Sequence, residues 1–472
     1  VRRAESWDAI VIGSGPNGLT AAATVAAAGF SVLVLEAAAE LGGGVKTLPL
    51  TLPGFLHDVC SAIHPLAISS PALLAMPLAQ YGLEWIQPDI PVAHPLDGGR
   101  AVFLQRSVRE TAASLGGDGE AYSRLLAPAV QNWDLLTNGR LRVPRSVIGL
   151  IGFGLAATRP ALSLLESRFR AVEARALLAG LAGHSVLGLE DPLSAGFGMV
   201  LGAAGHAVGW PFPRGGAGQL ATALTAHLRS LGVVLKAGAR VDSLDDLPPH
   251  RVVLCDLSPR EVVRIAGDRF PSSYRRQLTD FIYGPGVCKV DWALDSAIPW
   301  AAAGVGRAGT VHLGGTAEEI AESEHAVWEG RCSDQPFVIA AQHTPFDPSR
   351  APAGKHTAWA YCHVPNGSAL DMTERIEAQI ERFAPGFRDR ILGRSTIGPA
   401  DLEQRNRNLA GGDITGGANT WRQMIARPTP LAYVTPDRRV LLCSASTPPG
   451  GGVHGLCGYF AARLALRRLR RG

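Results

Sequence analysis

At 472 residues the chain is too long for a single small core and long enough for two or three domains. Apolar residues make up 46% and charged ones 18%, the balance of a compact protein with a large buried surface, and a net charge of +4 gives no case for a nucleic-acid partner. The seven cysteines are scattered without a CxxC pair, which argues against a zinc ribbon or a disulfide framework and suits a reducing, cytoplasmic setting.

Taken in chain order, an apolar run at 9–12 leads into Gly13, and Pro16 stands where a helix begins. A second run, 31–35, follows that helix and stops at Glu36. The first strand starts so early that no secretory signal is expected. Within Gly13-Ser14-Gly15-Pro16-Asn17-Gly18 the first glycine allows a tight turn and Gly15 lets the backbone approach a pyrophosphate. Gly18 lets the helix pack close to the strand, and the helix N-terminus faces the negative charge. Glu36 lies eighteen residues past Gly18, near the roughly twenty expected of an acid that bonds a ribose hydroxyl. Strand, turn, helix, strand and acid in register predict a dinucleotide site.

The chain then turns through Gly42-Gly43-Gly44-Val45-Lys46-Thr47 and reaches His57-Asp58. From about residue 88 the pattern is irregular, then helical over 108–136 and 166–187. Val147–Ala157 is the most apolar stretch, too short to span a bilayer, so it is a buried or an interfacial helix. Pro213-Arg-Gly-Gly-Ala-Gly218 precedes a helix at 219–231 and a strand at 233–241, with another at 251–255. Strand-like segments follow at 286–294, 310–313, 335–343 and 356–363, and the loop 344–354 joins the last two as a hairpin. A helix at 372–383, a strand at 440–443, the loop Gly450-Gly451-Gly452 and a final helix close the chain.

This interleaving predicts an α/β fold: a doubly wound, Rossmann-like dinucleotide domain assembled from 1–84, 211–280 and 401–472. Into it is inserted a mixed α+β substrate domain, helical over 85–210 and a mixed sheet over 281–400. No second strand-GxGxxG-helix unit is present, so no dedicated nicotinamide domain is expected.

Four segments carry a family resemblance: the N-terminal fingerprint through Thr47; Pro213 to Gly218; Asn408-Leu-Ala-Gly411-Gly412-Asp413-Ile414 with Gly416-Gly417; and Ser444-Ala-Ser-Thr-Pro-Pro-Gly450-Gly451-Gly452-Val453-His454-Gly455-Leu-Cys457-Gly458-Tyr459. Together they resemble the phytoene desaturase branch of the FAD-dependent amine oxidase superfamily, most nearly its phytoene-dehydrogenase-like oxidoreductases. The resemblance implies FAD as the dinucleotide, and the second glycine loop opens a helix suited to the flavin's far end. The cofactor residues it implies are Gly13, Ser14, Gly15, Pro16, Asn17, Gly18, Glu36, Gly42, Gly43, Gly44, Val45, Lys46, Val241, Gly451, Gly452, Val453 and His454. The family often carries basic residues where this chain has Ala37 and Gly44, which leaves the pyrophosphate to backbone amides and Lys46.

A flavin accepts hydride at N5, so the protein positions the substrate and manages one proton. His454, Asp413 and His64 are the candidate catalytic residues, with Asp413 also suited to capping a turn and His454 to bonding a loop carbonyl. His57 and Asp58 are read as holding the loop beneath the ring, Cys457 as packing rather than a covalent flavin link, and Trp292 as either cavity wall or core. No metal site is read. The function expected is desaturation of a hydrophobic, isoprenoid or polyene-like small molecule, with oxygen, a quinone or another carrier as electron acceptor. Rivals are an amine oxidase, a flavin-dependent saturase or isomerase, and a non-enzymatic prenyl-protein escort like the Rab GDP-dissociation inhibitors. Peripheral membrane contact through Val147–Ala157 stays open.

Overall fold

The computed structural model describes residues 6–138 and 147–471. Trp7–Ile12 is the central strand of a five-stranded parallel sheet, flanked by His250–Cys255 and Val440–Leu442 on one side and by Val32–Leu35 and Val234–Lys236 on the other. The central strands are almost continuously apolar because both faces are covered, as parallel sheets require. Ala9 and Val11 pack toward the helices Pro16–Ala26, Gly218–Ser230 and Leu456–Leu469. Ile10 and Ile12 pack the other way, with Val262 and Leu278 of the helices Pro259–Ala266 and Ser272–Thr279. Three distant parts of the chain thus close one doubly wound layer.

The second sheet has seven strands, in the order Ile391–Ile397, Gly286–Leu294, His356–Val364, Val338–Ala341, Ala308–Leu313, Ile90–Leu96, Arg100–Leu104. Only the pairing of Ala308–Leu313 with Ile90–Leu96 is parallel. The expected hairpin over the 344–354 loop is present as the antiparallel pair Val338–Ala341 and His356–Val364. The strands Ile90–Leu96 and Arg100–Leu104 are not expected from sequence, because Pro91 and Pro95 break the alternation that marks a strand. They tie the region before the helical insert to the mixed sheet.

Other expectations need correction. The helix at 108–136 is divided into Val108–Ser114, Gly119–Gln131 and a last short piece by Gly116-Gly117 and the turn at Asn132. The helix at 166–187 is two, Ala161–Arg168 and Val172–Gly183, because the Asp118 carboxylate binds the amides of Arg170 and Ala171 at 2.9 and 2.7 Å and pins the chain extended between them. The strand at 233–241 is only Val234–Lys236, since Gly238 turns the chain at φ +65°. On Val147–Ala157, Phe153 and Ala156 are buried while Ile148 is 86% exposed, with Ile151 and Leu155 also outward, so this helix lies on the surface rather than inside. Among the described residues no helix is long and apolar enough to cross a membrane.

Candidate functional site

The fingerprint loop is held by close backbone approach. Gly13 has φ +98°, and a β-carbon on it would stand 2.6 Å from the Asp256 carbonyl oxygen. One on Gly18 would stand 2.3 Å from the Gly13 carbonyl oxygen, so only glycine lets the helix Pro16–Ala26 start against the strand. Gly43 leans on Gly15, where a β-carbon would come within 2.8 Å of its α-carbon, and the Gly42 amide donates to the Ser14 carbonyl at 3.1 Å. Glu36 is held in place by the Ser14 amide at 2.9 Å, the Ser14 hydroxyl at 2.6 Å and the Ala38 amide at 2.8 Å.

Above this cradle is a cavity of about 1040 Å³. All the cofactor residues read from the sequence line it except Gly18 and Gly42, which pack behind the loop. Val241 reaches it from a turn, not a strand.

Sequence reasoning missed Asp256, which follows the strand His250–Cys255 and faces the same cavity. Its Oδ2 accepts the Gly18 amide at 2.9 Å, and the Asn408 side chain donates to its carbonyl at 2.9 Å. Burial pushes its carboxyl up to about 7, against the Gly18 N–H and with help from Glu36. The one available signal is an acid directly after a second apolar run. Arg240, Arg264, Arg405 and Arg407 also line this end, from three segments far apart in sequence. Arg240 and Arg264 are paired with Asp242, and Arg264 also with Glu261, which leaves Arg405 and Arg407 as cations that only tertiary contact brings to the cavity.

The second glycine loop leads into the helix Leu456–Leu469, which packs directly on Pro16–Ala26. Gly450 and Gly452 have φ +107° and +126°, and a β-carbon on Gly451 would meet the Thr415 carbonyl oxygen at 2.5 Å. His454 is buried at the cavity wall, and its Nδ1 accepts the Leu456 amide at 3.0 Å. Burial lowers it to about 4, against the carbonyls of Gly451 and Gly450. It therefore holds the loop as a neutral ring. His64 also lines the cavity, bonded through Nε2 to the Ser61 hydroxyl at 2.7 Å, and burial lowers it to about 4.

Asp413 does not face the cavity. Its oxygens take the Thr415 amide and hydroxyl and the amides of Gly284 and Gly417, all at 2.7–2.9 Å. The carboxylate is consumed in ordering the loop, so its expected catalytic place is corrected to turn capping. His57 and Asp58 lie off the cavity too. Asp58 is fully buried among the Thr47 hydroxyl (2.7 Å), the Ala217 amide (2.8 Å) and Arg350 (3.0 Å), which binds the loop to the start of the helix Gly218–Ser230. Cys457 is buried with Sγ on the carbonyls of Thr447 and Gly450, a packing contact. Trp292 belongs to the core on the far side of its sheet, with its indole N–H on Glu377 at 2.9 Å. Alternation along the same strand turns Lys289 and Asp291 to the opposite face, where they pair behind the cavity residue Trp359.

The lining divides by charge. Glu36, Lys46, Asp256, Glu261 and the four arginines all sit around the fingerprint. The described residues that the insert and the mixed sheet contribute, among them Phe197, Val200, Trp210, Ile339, Trp359 and Tyr361, include no Asp, Glu, Lys or Arg. One end of the cavity is thus built for a charged dinucleotide and the other is an apolar chamber.

Comparison with known proteins agrees with this geometry. Residues 11–76 match the family model of the NAD(P)-binding Rossmann-like domain. The chain is 27% identical to the rat pyridine nucleotide-disulfide oxidoreductase domain-containing protein 2, over 98% of this chain and 94% of that one. One of the subunits of a limonene dehydrogenase from Castellaniella defragrans is 32% identical over 108 residues, 23% of this chain and 19% of that protein. A putrescine oxidase redesigned in its cofactor binding superposes with a TM-score of 0.62 at 17% identity, covering 99% of both chains. The residues present fit FAD: a glycine-only cradle at a helix N-terminus and a second glycine loop, both on one cavity at the upper end of ligand-site volumes. Residues 11–76 thus form part of an NAD(P)-binding Rossmann-like domain, and the whole chain shares the fold of the putrescine oxidase.

Proposed function

We propose that the chain is an FAD-dependent oxidoreductase of the phytoene-dehydrogenase-like kind, which desaturates a hydrophobic, isoprenoid or polyene-like small molecule. The observation that carries this reading is the uncharged chamber joined to the dinucleotide cradle in one cavity. FAD would supply the hydride acceptor at N5. Ser14, Glu36 and the fingerprint amides would hold its adenosine and diphosphate end, and Gly451 to His454 its far end. The chamber residues Phe197, Val200, Ile339 and Trp359 would orient an apolar chain and exclude water, and His64 and His454 stay neutral beside it. The likeness to a limonene dehydrogenase supports an isoprenoid hydrocarbon as substrate class.

One observation favours an amine oxidase instead. Trp359 and Tyr361 are stacked at 5.5 Å and 25° on the chamber wall, an aromatic surface that an amine can use, and the putrescine oxidase likeness points the same way. Anaerobic mixing of the flavoprotein with apolar polyenes, monoterpenes and amines separates the two. Bleaching of the visible flavin band by the hydrocarbons alone is expected; bleaching by amines alone would overturn the desaturase reading.

Asp256 gives a second test. Burial raises its carboxyl to about 7, so above that pH a new negative charge would face bound FAD. FAD affinity of the apoprotein should fall by about tenfold as the pH rises through that value, since one pKa unit corresponds to about 1.4 kcal/mol. Asp256→Asn keeps the Gly18 contact and should abolish the slope in a fluorescence titration. A slope that persists in the variant would place the titrating group elsewhere.

A further inference from the structure

Three histidines from three separate elements form a line that starts at the chamber wall. His184, just past the helix Val172–Gly183, lines the cavity. Its Nε2 stands 2.9 Å from Nε2 of His312, a fully buried residue on the strand Ala308–Leu313. His94, fully buried on the strand Ile90–Leu96, has Nε2 2.8 Å from the Gly315 carbonyl oxygen. The Nδ1 atoms of His312 and His94 are both buried without a hydrogen-bond partner. Both face the α-carbon of Gly180, where a β-carbon would stand 2.8 Å from the first and 3.0 Å from the second. The absence of a side chain at residue 180 is what leaves the two nitrogens facing a common gap.

These contacts fix where protons sit. A carbonyl only accepts, so His94 carries its hydrogen on Nε2 and presents a lone pair at Nδ1 toward the gap. A nitrogen pair at 2.9 Å holds one donor and one acceptor, so the tautomers of His184 and His312 are locked to each other. Of the two tautomer pairs this contact allows, the one with Nε2 of His184 donating turns Nδ1–H of His312 toward the gap and the His94 lone pair, where the other would set two lone pairs face to face. The chain of donors then runs in one direction, from the chamber to His94.

We propose that His184, His312 and His94 form a proton relay that takes up the proton released from substrate as its hydride leaves. The inference rests on the desaturase reading. In that reaction one C–H bond gives its electron pair and hydrogen to the flavin. The neighbouring C–H bond gives its electrons to the new double bond and its proton to Nδ1 of His184. His184 passes its Nε2 proton to Nε2 of His312, and His312 passes its Nδ1 proton to Nδ1 of His94, across the gap beside Gly180 by a bridging water or a ring rotation. One proton enters and one imidazolium results, at His94.

The surroundings favour that end point. Trp210 and Phe337 pack edge-on against the His312 ring, and Trp210 against His184, so this stretch is shielded from bulk solvent. Burial, and then His363 of the buried His363–Glu324 pair (2.7 Å), disfavours charge on His184. His312 is disfavoured as a cation by burial and by the other two histidines. His94 alone has partners that support a charge, the Gly315 carbonyl and the Glu319 carboxylate, with Arg382 bonded to Glu319 further out. Burial still lowers His94 to about 4, so the line is empty of charge and ready to accept at neutral pH. A weak base suffices, because a carbon beside a forming cation is a strong acid.

The test uses the holoprotein in two arms. In the first, histidines are labelled with ¹⁵N and their ring tautomers are read by NMR in the wild type and in His94→Asn, with no substrate present. Protonated Nε2 on His94 and a changed tautomer at His184 in the variant are expected. An unchanged His184 would overturn the relay whatever the substrate is. In the second, flavin reduction is followed in His312→Phe, which keeps the ring volume, and in His184→Ala. A loss of about a hundredfold in the reduction rate is expected in both, within the range for general-base catalysis, with recovery of His184→Ala by added imidazole. A loss in His184→Ala that imidazole does not restore would assign the residue to packing and overturn the proposal. Linked tautomers in a flavoprotein that only amines reduce would support the relay and count against the substrate class alone.

Discussion

Arg350→Met is expected to destabilise the protein by about 3–5 kcal/mol, the cost of leaving a buried charge without its partner. Arg350 and Asp58 are both fully buried, 3.0 Å apart, and the remaining Asp58 contacts are with Thr47, the Ala217 amide and His343. Burial opposes the Asp58 charge, yet Arg350, then His343 and the two hydrogen bonds, hold its carboxyl below the usual range. Asp58 therefore contributes stability above its unfolded value that is lost as pH falls through the lower folded value. Without Arg350 that balance reverses. His343, lowered to about 3 by burial and then by Arg350, would keep Asp58 and Asp347, which raise it, against Lys289, and so would be less depressed. A histidine depressed in the folded state costs stability as pH falls below its unfolded value, and a smaller depression in the variant costs less there. The variant's deficit should thus be smaller at about pH 5 than at about pH 8. Urea unfolding of Arg350→Met, Asp58→Asn and the double variant checks both points. Equal deficits at the two pH values would remove His343 from the account, and additive single effects would deny the pairing.

Gly458→Ala should be the most damaging single methyl in the dinucleotide domain. A β-carbon there would stand 1.8 Å from the Asn17 carbonyl oxygen and 2.7 Å from its carbon, where the helix Leu456–Leu469 crosses Pro16–Ala26 backbone to backbone. No side chain can rotate away, so the helices must separate, at a cost of about 3 kcal/mol. Asn17 lines the cavity, so the same shift moves the amides that face the diphosphate, and the variant should purify with little flavin. Gly152→Ala is the matched control: nothing lies within 4 Å of its β-carbon position on an exposed helix, and a gain of up to about 1 kcal/mol is expected. Thermal melts with the flavin content of each preparation decide the point; a yellow, stable Gly458→Ala protein would contradict the packing argument.

The dinucleotide half is legible because its signals are local. Gly13, Gly15, Gly18 and Glu36 fall within one strand-helix-strand unit; Gly18 and Glu36 answer contacts inside it, with Gly13 and Ser14, while Gly13 and Gly15 also clear Asp256 from far along the chain. Where a reading depends on facing direction, the sequence is ambiguous. Trp292 fits wall or core equally, and the pleat decides for core while turning Lys289 and Asp291 toward the cavity side. Asp413 carries the right chemistry for a base, but its four donors come partly from residue 284, far along the chain.

By itself the sequence determined the Rossmann-like unit, its capture of a dinucleotide, the second glycine loop and the alternation of α/β segments, since backbone clearance and apolar periodicity act between near neighbours. The tertiary structure alone decided the acid at Asp256, the arginines that line the cavity, the chamber without charge among the described residues, and the line of His184, His312 and His94. Those features need groups from separate elements to meet within hydrogen-bonding or van der Waals distance. Packing of the two sheets and the helical insert fixes those meetings, and no spacing along the chain encodes them.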